Sequence, residues 1–218
     1  MNIHQYLIND INPVDINSSV RDAKNLARKF TYTHIPIAQN GDYIGCISET
    51  DASCFDSEKS IGEYAYAIEP IFVQYNSNWL DILAAFAVHN SNILPVLGEE
   101  KKYIGYYELN DIMEIFNNTP FMAESGGIIV VQKGIREYSF SEIAQIVESN
   151  SGRLFGMFIS QITDNKIEVT VKIGQSNIHN IVQTFRRYNY EIISQHEEDI
   201  WIENLKQRSK YLDKFLNI

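Results

Sequence analysis

The stretch THIPIAQNGDYIGCISETD runs from Thr33 to Asp51, and a matching stretch, NILPVLGEEKKYIGYYELND, runs from Asn92 to Asp111. Each copy contains, in the same order, an apolar-Pro-apolar run, the sequence Tyr-Ile-Gly and an Asp, and these landmarks recur 59 or 60 residues apart. A Pro-containing segment precedes each copy, at residues 11–14 and 68–71. Self-similarity at a nearly fixed period indicates that one structural unit is used twice.

Each copy carries the periodicity of one helix between short strands. Apolar residues follow helical spacing after each Pro segment; they are Val20, Ala23, Leu26, Ala27 and Phe30 in the first copy, and Trp79, Ile82, Leu83 and Phe86 in the second. Ser18 or Ser19, and Ser77, are the predicted N-caps. Paired strands are predicted at residues 34–39 and 43–48, and at 93–97 and 103–107, with a last helix beginning near Ser48 or Glu108. The predicted unit is β-α-β-β-α.

The second half of the chain has a different pattern. Strands are predicted at residues 127–133, 154–162, 167–173 and 190–195, with helices at 139–150 and around 178–185. This βαββαβ order predicts a ferredoxin-like domain, so the whole chain is expected to be α+β. The predicted boundaries are 1–60 and 61–118 for the two repeats, 119–125 for a linker, 126–197 for the second domain and 198–218 for a C-terminal amphipathic helix.

Composition limits the classes of partner. The formal net charge of −10 argues against a surface that neutralises nucleic-acid phosphates or anionic lipid. No signal peptide and no membrane-spanning segment is predicted. Both cysteines, Cys46 and Cys54, are interpreted as buried and reduced. A cytoplasmic location is therefore expected. The histidines lack the spacing of a metal site, so no metal is predicted.

No enzyme is predicted either. The sequence contains no nucleophile elbow, no phosphate-binding loop and no cluster of metal ligands. Two non-catalytic alternatives are left open, a sensor of a small molecule and a scaffold that dimerises without a ligand.

The repeated pattern closely resembles the CBS domain in its usual tandem pair, over about residues 3–118. The resemblance implies an adenine nucleotide or adenosine derivative as ligand, with AMP, ADP, ATP and S-adenosylmethionine as candidates. It also implies that Ser48 contacts phosphate, that Asp51 binds the ribose hydroxyls, and that Ile35, Pro36 and the backbone of His34 lie beside the base. The same Ser and Asp would also form a capping-box-like structure without any ligand.

The second copy carries a weaker version of this pattern. It keeps Asp111, Leu94 and Pro95 but has Glu108 where the family usually has a hydroxyl. Because a carboxylate repels a phosphate at close range, this second site is expected to bind weakly or not at all, with Tyr106, Tyr107 and Trp79 filling the space.

The second half resembles an ACT domain, so the chain as a whole is similar to acetoin-utilisation-type regulatory proteins. The resemblance implies a dimerisation or effector domain, hence a homodimer and an unidentified regulated protein as partners. The turn at residues 132–136 lacks the Asp of amino-acid-binding members. Dimerisation is therefore expected in preference to amino-acid binding.

Overall fold

The structure is a computed structural model, and it describes residues 3–174 and 178–194. The chain divides into two compact units, Met1–Asn118 and Thr119–Ile218. Both units mix helices with sheets, which agrees with the α+β class predicted from the sequence.

The first unit contains the same arrangement of elements twice. The first repeat comprises β1 (Val14–Asp15), α1 (Val20–Phe30), β2 (His34–Gln39), β3 (Asp42–Ser48) and α2 (Glu49–Cys54). The second comprises β4 (Val73–Gln74), α3 (Trp79–His89), β5 (Ile93–Leu97), β6 (Tyr103–Glu108) and α4 (Leu109–Asn117). Short 3-10 helices lie at Ile3–Tyr6, Ile61–Ala67 and Glu99–Lys101. The two three-stranded sheets have the orders β1-β2-β3 and β4-β5-β6, each with its first strand parallel to the second.

The register of the two sheets confirms the repeat. Pro36 lies opposite Cys46 in the first sheet, and Pro95 lies opposite Tyr106 in the second. Both sheets have an irregularity in register at the same place, between Ile37 and Ala38 in the first and between Val96 and Leu97 in the second. The two Pro residues therefore occupy equivalent positions, as the sequence pattern predicts.

The helix caps follow the prediction with one correction. Ser19 caps α1 and Ser48 caps α2, each accepting a backbone N–H from three residues later. The N-cap of α3 is Asn78 and not Ser77, because the amide oxygen of Asn78 accepts hydrogen bonds from the N–H groups of both Leu80 and Asp81.

One prediction about the cysteines was also wrong. Cys46 is buried as expected, but Cys54 is exposed.

The second unit is built on one antiparallel sheet. Its elements are α5 (Pro120–Ala123), β7 (Gly126–Gly134), α6 (Phe140–Ser149), β8 (Leu154–Ile162), β9 (Lys166–Gly174), α7 (Ile178–Arg187) and β10 (Glu191–Ile192). The strand order is β10-β7-β9-β8. Residues of α6 and α7, such as Ile146 and Phe185, share one buried cluster with Val131 of β7 and Val169 of β9. Both helices therefore cover the same face of the sheet.

Two predicted segments differ in the structure. Residues 119–125, predicted as a linker, contain α5, whose Phe121 ring lies against Phe158 of β8 with 5.9 Å between ring centroids. Packing an aromatic ring against the sheet favours an ordered turn over an open linker. The predicted strand at 190–195 is observed as Glu191–Ile192. The last residue of the predicted strand and the whole predicted helix at 198–218 lie outside the described residues.

Among the helices of the described ranges, none has the length and apolar character to cross a bilayer.

Candidate functional site

The first predicted site lies where β2 begins and β3 ends. His34 is the register partner of Ser48 across these two strands. The Ser48 hydroxyl donates to Asp51 Oδ2 over 2.7 Å, and the Asp51 backbone N–H donates to Ser48 Oγ over 3.0 Å. An imidazole, a hydroxyl and a carboxylate are thus brought to one end of the sheet.

These predicted residues differ in how much they are exposed. Asp51 is exposed and Ser48 is half-buried, whereas His34, Ile35 and Pro36 are buried. Ile35 belongs to the core cluster shared with α1 and α2, so it supports the site from within the repeat. The polar end of the site is therefore open to solvent and its apolar base is fixed by packing.

Burial determines the protonation state of His34. It lowers the pKa of the imidazole from its ordinary value of 6.5, and neighbouring His89 acts in the same direction, against the opposing effects of Glu69 and Asp51. Thr33 Oγ1 lies 3.0 Å from His34 Nδ1 and forms a hydrogen bond with it. A neutral imidazole can donate or accept a hydrogen bond but supplies no positive charge to a phosphate.

Cationic side chains lie on the neighbouring helix α1. Arg28 lines a cavity of about 250 Å³ together with Tyr32, Glu49 and Thr50. Lys29 Nζ lies 4.8 Å from the centre of the Phe30 ring. This cavity adjoins the start of α2 but is not lined by His34, Ser48 or Asp51.

The second predicted site contains a chain of hydrogen bonds. The Tyr32 hydroxyl lies 2.9 Å from Glu108 Oε1 and 2.8 Å from the Tyr106 hydroxyl, and the Tyr106 hydroxyl donates to Asp10 Oδ1 over 2.8 Å. Glu108 makes no side-chain capping bond to α4, and its carboxylate accepts a hydrogen bond from the Tyr32 hydroxyl. The place equivalent to Ser48 of the first repeat is therefore occupied by a carboxylate that is hydrogen-bonded to a tyrosine of the first repeat.

Other groups at the second site reinforce its acidic character. Burial raises the pKa of Asp111, and the negative charges of Glu108 and Glu114 act in the same direction. Leu94 is fully buried in the core of the second repeat, and Pro95 is buried on β5. An anion brought to this place would meet several carboxylates.

The residues that fill the second site differ in part from those predicted. Tyr106 takes part as expected, but Tyr107 packs in the core with α3 and α4, and Trp79 stacks on Phe116 with 5.8 Å between centroids. Tyr32 was missed. It lies 76 residues from Glu108 in the chain, so no local motif joins the two.

A larger cavity of about 420 Å³ lies at the other end of the second sheet. Its lining includes Gln74, Tyr75, Leu97, Glu99 and Ile104. None of the predicted site residues lines it, because β5 begins at the candidate site and ends at this cavity.

Comparison with solved structures finds distant likenesses. No protein-family model and no curated protein matches the chain. A CBS domain pair/ACT domain protein from Thermotoga maritima is 22% identical, with a TM-score of 0.48, over 53% of this chain and 96% of that one. CBSX2 in complex with AMP is 18% identical, with a TM-score of 0.45, over 52% and 94%. The cytosolic domain of the Mg²⁺ channel MgtE in complex with ATP is 16% identical, with a TM-score of 0.44, over 52% and 48%. Likenesses at this level do not assign the chain to a family.

Proposed function

We propose that this chain is a non-catalytic regulatory protein whose first unit is a CBS pair that binds an adenine nucleotide or adenosine derivative in its first repeat. The observation that carries the proposal is the difference between two equivalent places. One presents the half-buried Ser48 and the exposed Asp51 beside the buried His34, whereas the other is filled by the bonded pair Tyr32 and Glu108.

The roles of the first-repeat residues follow from their chemistry. Asp51 Oδ2 accepts from Ser48, and within the described residues its Oδ1 accepts no hydrogen bond. An exposed carboxylate oxygen is suited to the vicinal hydroxyls of a ribose, which are paired donors. The base would lie beside Pro36 and the backbone of His34, and the phosphate near the Ser48 hydroxyl and the cations Arg28 and Lys29 of α1.

The bond between Ser48 and Asp51 also stabilises the start of α2, and a scaffold without a ligand would need nothing more. The two functions differ in one simple measurement. A ligand that binds the native state stabilises it by RT ln(1 + [L]/Kd), so the melting temperature rises with the logarithm of the ligand concentration above Kd, whereas a scaffold shows no such shift. Thermal unfolding with AMP, ADP, ATP and S-adenosylmethionine separates them.

Site-directed variants locate the binding. Asp51→Ala is expected to weaken the binding of whichever of the four compounds binds best, whereas the matched change Asp111→Ala in the second repeat leaves it within about twofold of the parent. A hydrogen bond to a charged carboxylate is worth about 1.5–3 kcal/mol, which corresponds to roughly ten- to a hundredfold in affinity.

For the second unit we propose an ACT-like role in homodimerisation, through which a bound ligand is reported to a regulated protein. Support comes from the antiparallel order β10-β7-β9-β8, with both helices on one face. The nine-residue strand β8 lies at one edge of the sheet. Its Phe158 and Ile162 are 48% and 63% exposed. Unprotected edge strands with apolar side chains readily pair with another chain.

A further inference from the structure

The loops that precede β2 and β5 are bonded to each other across a pseudo-two-fold relation. The Thr33 N–H donates to Asn92 Oδ1 over 2.9 Å, and the Asn92 N–H donates to Thr33 Oγ1 over 3.0 Å. The residues two positions earlier, Thr31 and Asn90, both have left-handed backbones, with φ of 57° and 49°. The pseudo-two-fold axis therefore relates Thr33 to Asn92, and the loop before β2 to the loop before β5.

Tyr32 and Ser91 occupy the same position in these two loops. The Tyr32 N–H donates to the carbonyl of Ala27 over 2.9 Å, and the Ser91 N–H donates to the equivalent carbonyl, of Phe86, over 3.2 Å. Both side chains are buried, with exposed fractions of 6% and 4%. The two loops thus place a phenol in one case and a small hydroxyl in the other.

The phenol of Tyr32 extends from the first repeat to the second, where it meets Glu108 at the end of β6. Burial is the main reason that the pKa of Tyr32 is raised to about 12, so its hydroxyl stays neutral. At the second candidate site the Tyr32 hydroxyl is hydrogen-bonded to both Glu108 and Tyr106.

Under the same pseudo-two-fold relation, Tyr32 is equivalent to Ser91 and Glu108 is equivalent to Ser48. Because Tyr32 contacts Glu108 at the end of β6, we expect Ser91 to lie near Ser48 at the end of β3, which is the first candidate site. A separate observation supports this position, because His89, two residues earlier, acts electrostatically on His34. The serine at this place is much smaller than the phenol of the other copy and does not extend to the end of the opposite strand as Tyr32 does.

The hydroxyl of Ser91 has no hydrogen-bond partner within the described residues, although its oxygen is buried. Buried hydroxyls in proteins are mostly paired, so an unpaired one is able to bond a ligand or a water. The Tyr107 hydroxyl shares this property, but its side chain packs in the core of the second repeat with residues of α3 and α4.

We propose that the residue at position 91, and its counterpart at position 32, decide which of the two nucleotide sites is open. Ser91 keeps the first site open and gives its hydroxyl to the bound adenine nucleotide or adenosine derivative, whereas Tyr32 closes the second site by bonding Glu108. This inference rests on the proposed function and adds to it a residue from the second repeat that completes the site of the first.

Calorimetry with AMP, ADP, ATP and S-adenosylmethionine tests the inference through exchanged side chains. The parent protein is expected to bind one equivalent of the best compound. Ser91→Tyr should abolish the binding, and Ser91→Ala, which keeps the space but removes the hydroxyl, should weaken it by roughly three- to tenfold, the value of one neutral hydrogen bond. The double variant Tyr32→Ser with Glu108→Ser should bind a second equivalent.

The outcomes separate the two proposals. If the parent binds none of the four compounds, the proposed function is wrong and the inference falls with it. If the parent binds but Ser91→Tyr, shown to be folded by circular dichroism, binds equally well, the inference alone is overturned. If Ser91→Tyr does not fold, the double variant decides, and an unchanged stoichiometry of one contradicts the inference.

Discussion

Cys46 and Glu69 exchange two backbone hydrogen bonds, each 2.8 Å long, between the last strand of the first repeat and the segment that leads into the second. Tyr106 and Ile8 exchange the matching pair, at 2.8 and 3.0 Å, between the second repeat and the segment that leads into the first. The last strand of each repeat is thus hydrogen-bonded to a segment that belongs to the other repeat. The two repeats are therefore expected to unfold together.

The close approach of Glu69 depends on a glycine. Gly45 has a φ of +148°, and a Cβ there would collide with the Glu69 carbonyl oxygen. Gly41 also has a positive φ, of +88°, but no atom lies within 4 Å of its Cβ position. Gly41→Ala should lower the free energy of unfolding by about 1 kcal/mol through backbone strain alone, and Gly45→Ala by about 2–4 kcal/mol through strain and collision. Urea unfolding measures both, and equal losses would contradict the interlocked arrangement.

A half-buried ion pair stabilises the second unit. Lys133 Nζ lies 2.9 Å from Glu142 Oε2 and 4.3 Å from the centre of the Tyr190 ring, and its side chain is 12% exposed. We expect Lys133→Met to lower the free energy of unfolding by about 1–2 kcal/mol. The exposed pair of Lys166 and Glu191, at 2.8 Å, is the control. Lys166→Met should cost less than about 1 kcal/mol, and a cost as large as that of Lys133→Met would argue against the role of burial.

The buried His34 predicts a dependence of stability on pH. Burial lowers its folded-state pKa below the ordinary 6.5, so the unfolded chain takes up this proton at a higher pH than the native state. Its contribution is intact above about pH 6.5 and decreases as the pH falls below that value. Urea unfolding at pH 7.5 and 5.5 should show a smaller loss for His34→Gln than for the parent. The same loss in both proteins would rule out His34 as a source of the effect.

The exposed face of the second sheet predicts a homodimer. Phe158 lies opposite Thr170 in the register, on the face away from α6 and α7, where it also contacts the Phe121 ring of α5. Sedimentation at micromolar concentration should find a dimer for the parent and a monomer for Phe158→Glu, because burying an unpaired carboxylate is costly. Ile135, which is 39% exposed in a loop, provides the control. Ile135→Glu should stay dimeric, and a monomeric parent would contradict the dimer.

Local signals in the sequence predicted much of the first unit. The repeated Pro positions, the Gly before each strand end and the Ser48 cap are short-range features, and each is found where the pattern places it. Ser77 and Asn78 are both good caps and adjacent, so the sequence did not separate them. The bond between Tyr32 and Glu108 joins residues 76 positions apart. Such a contact depends on how the two repeats face each other, which no local pattern encodes.

The most direct test of the sensor proposal is calorimetry of adenine nucleotide binding to the parent protein and to Asp51→Ala. We expect the parent to bind at least one of AMP, ADP, ATP and S-adenosylmethionine with a stoichiometry of one, and Asp51→Ala to weaken that binding by roughly ten- to a hundredfold. Asp111→Ala should bind as the parent does. No heat with any of the four compounds, or binding that Asp51→Ala leaves unchanged, would contradict the sensor and favour the ligand-free scaffold.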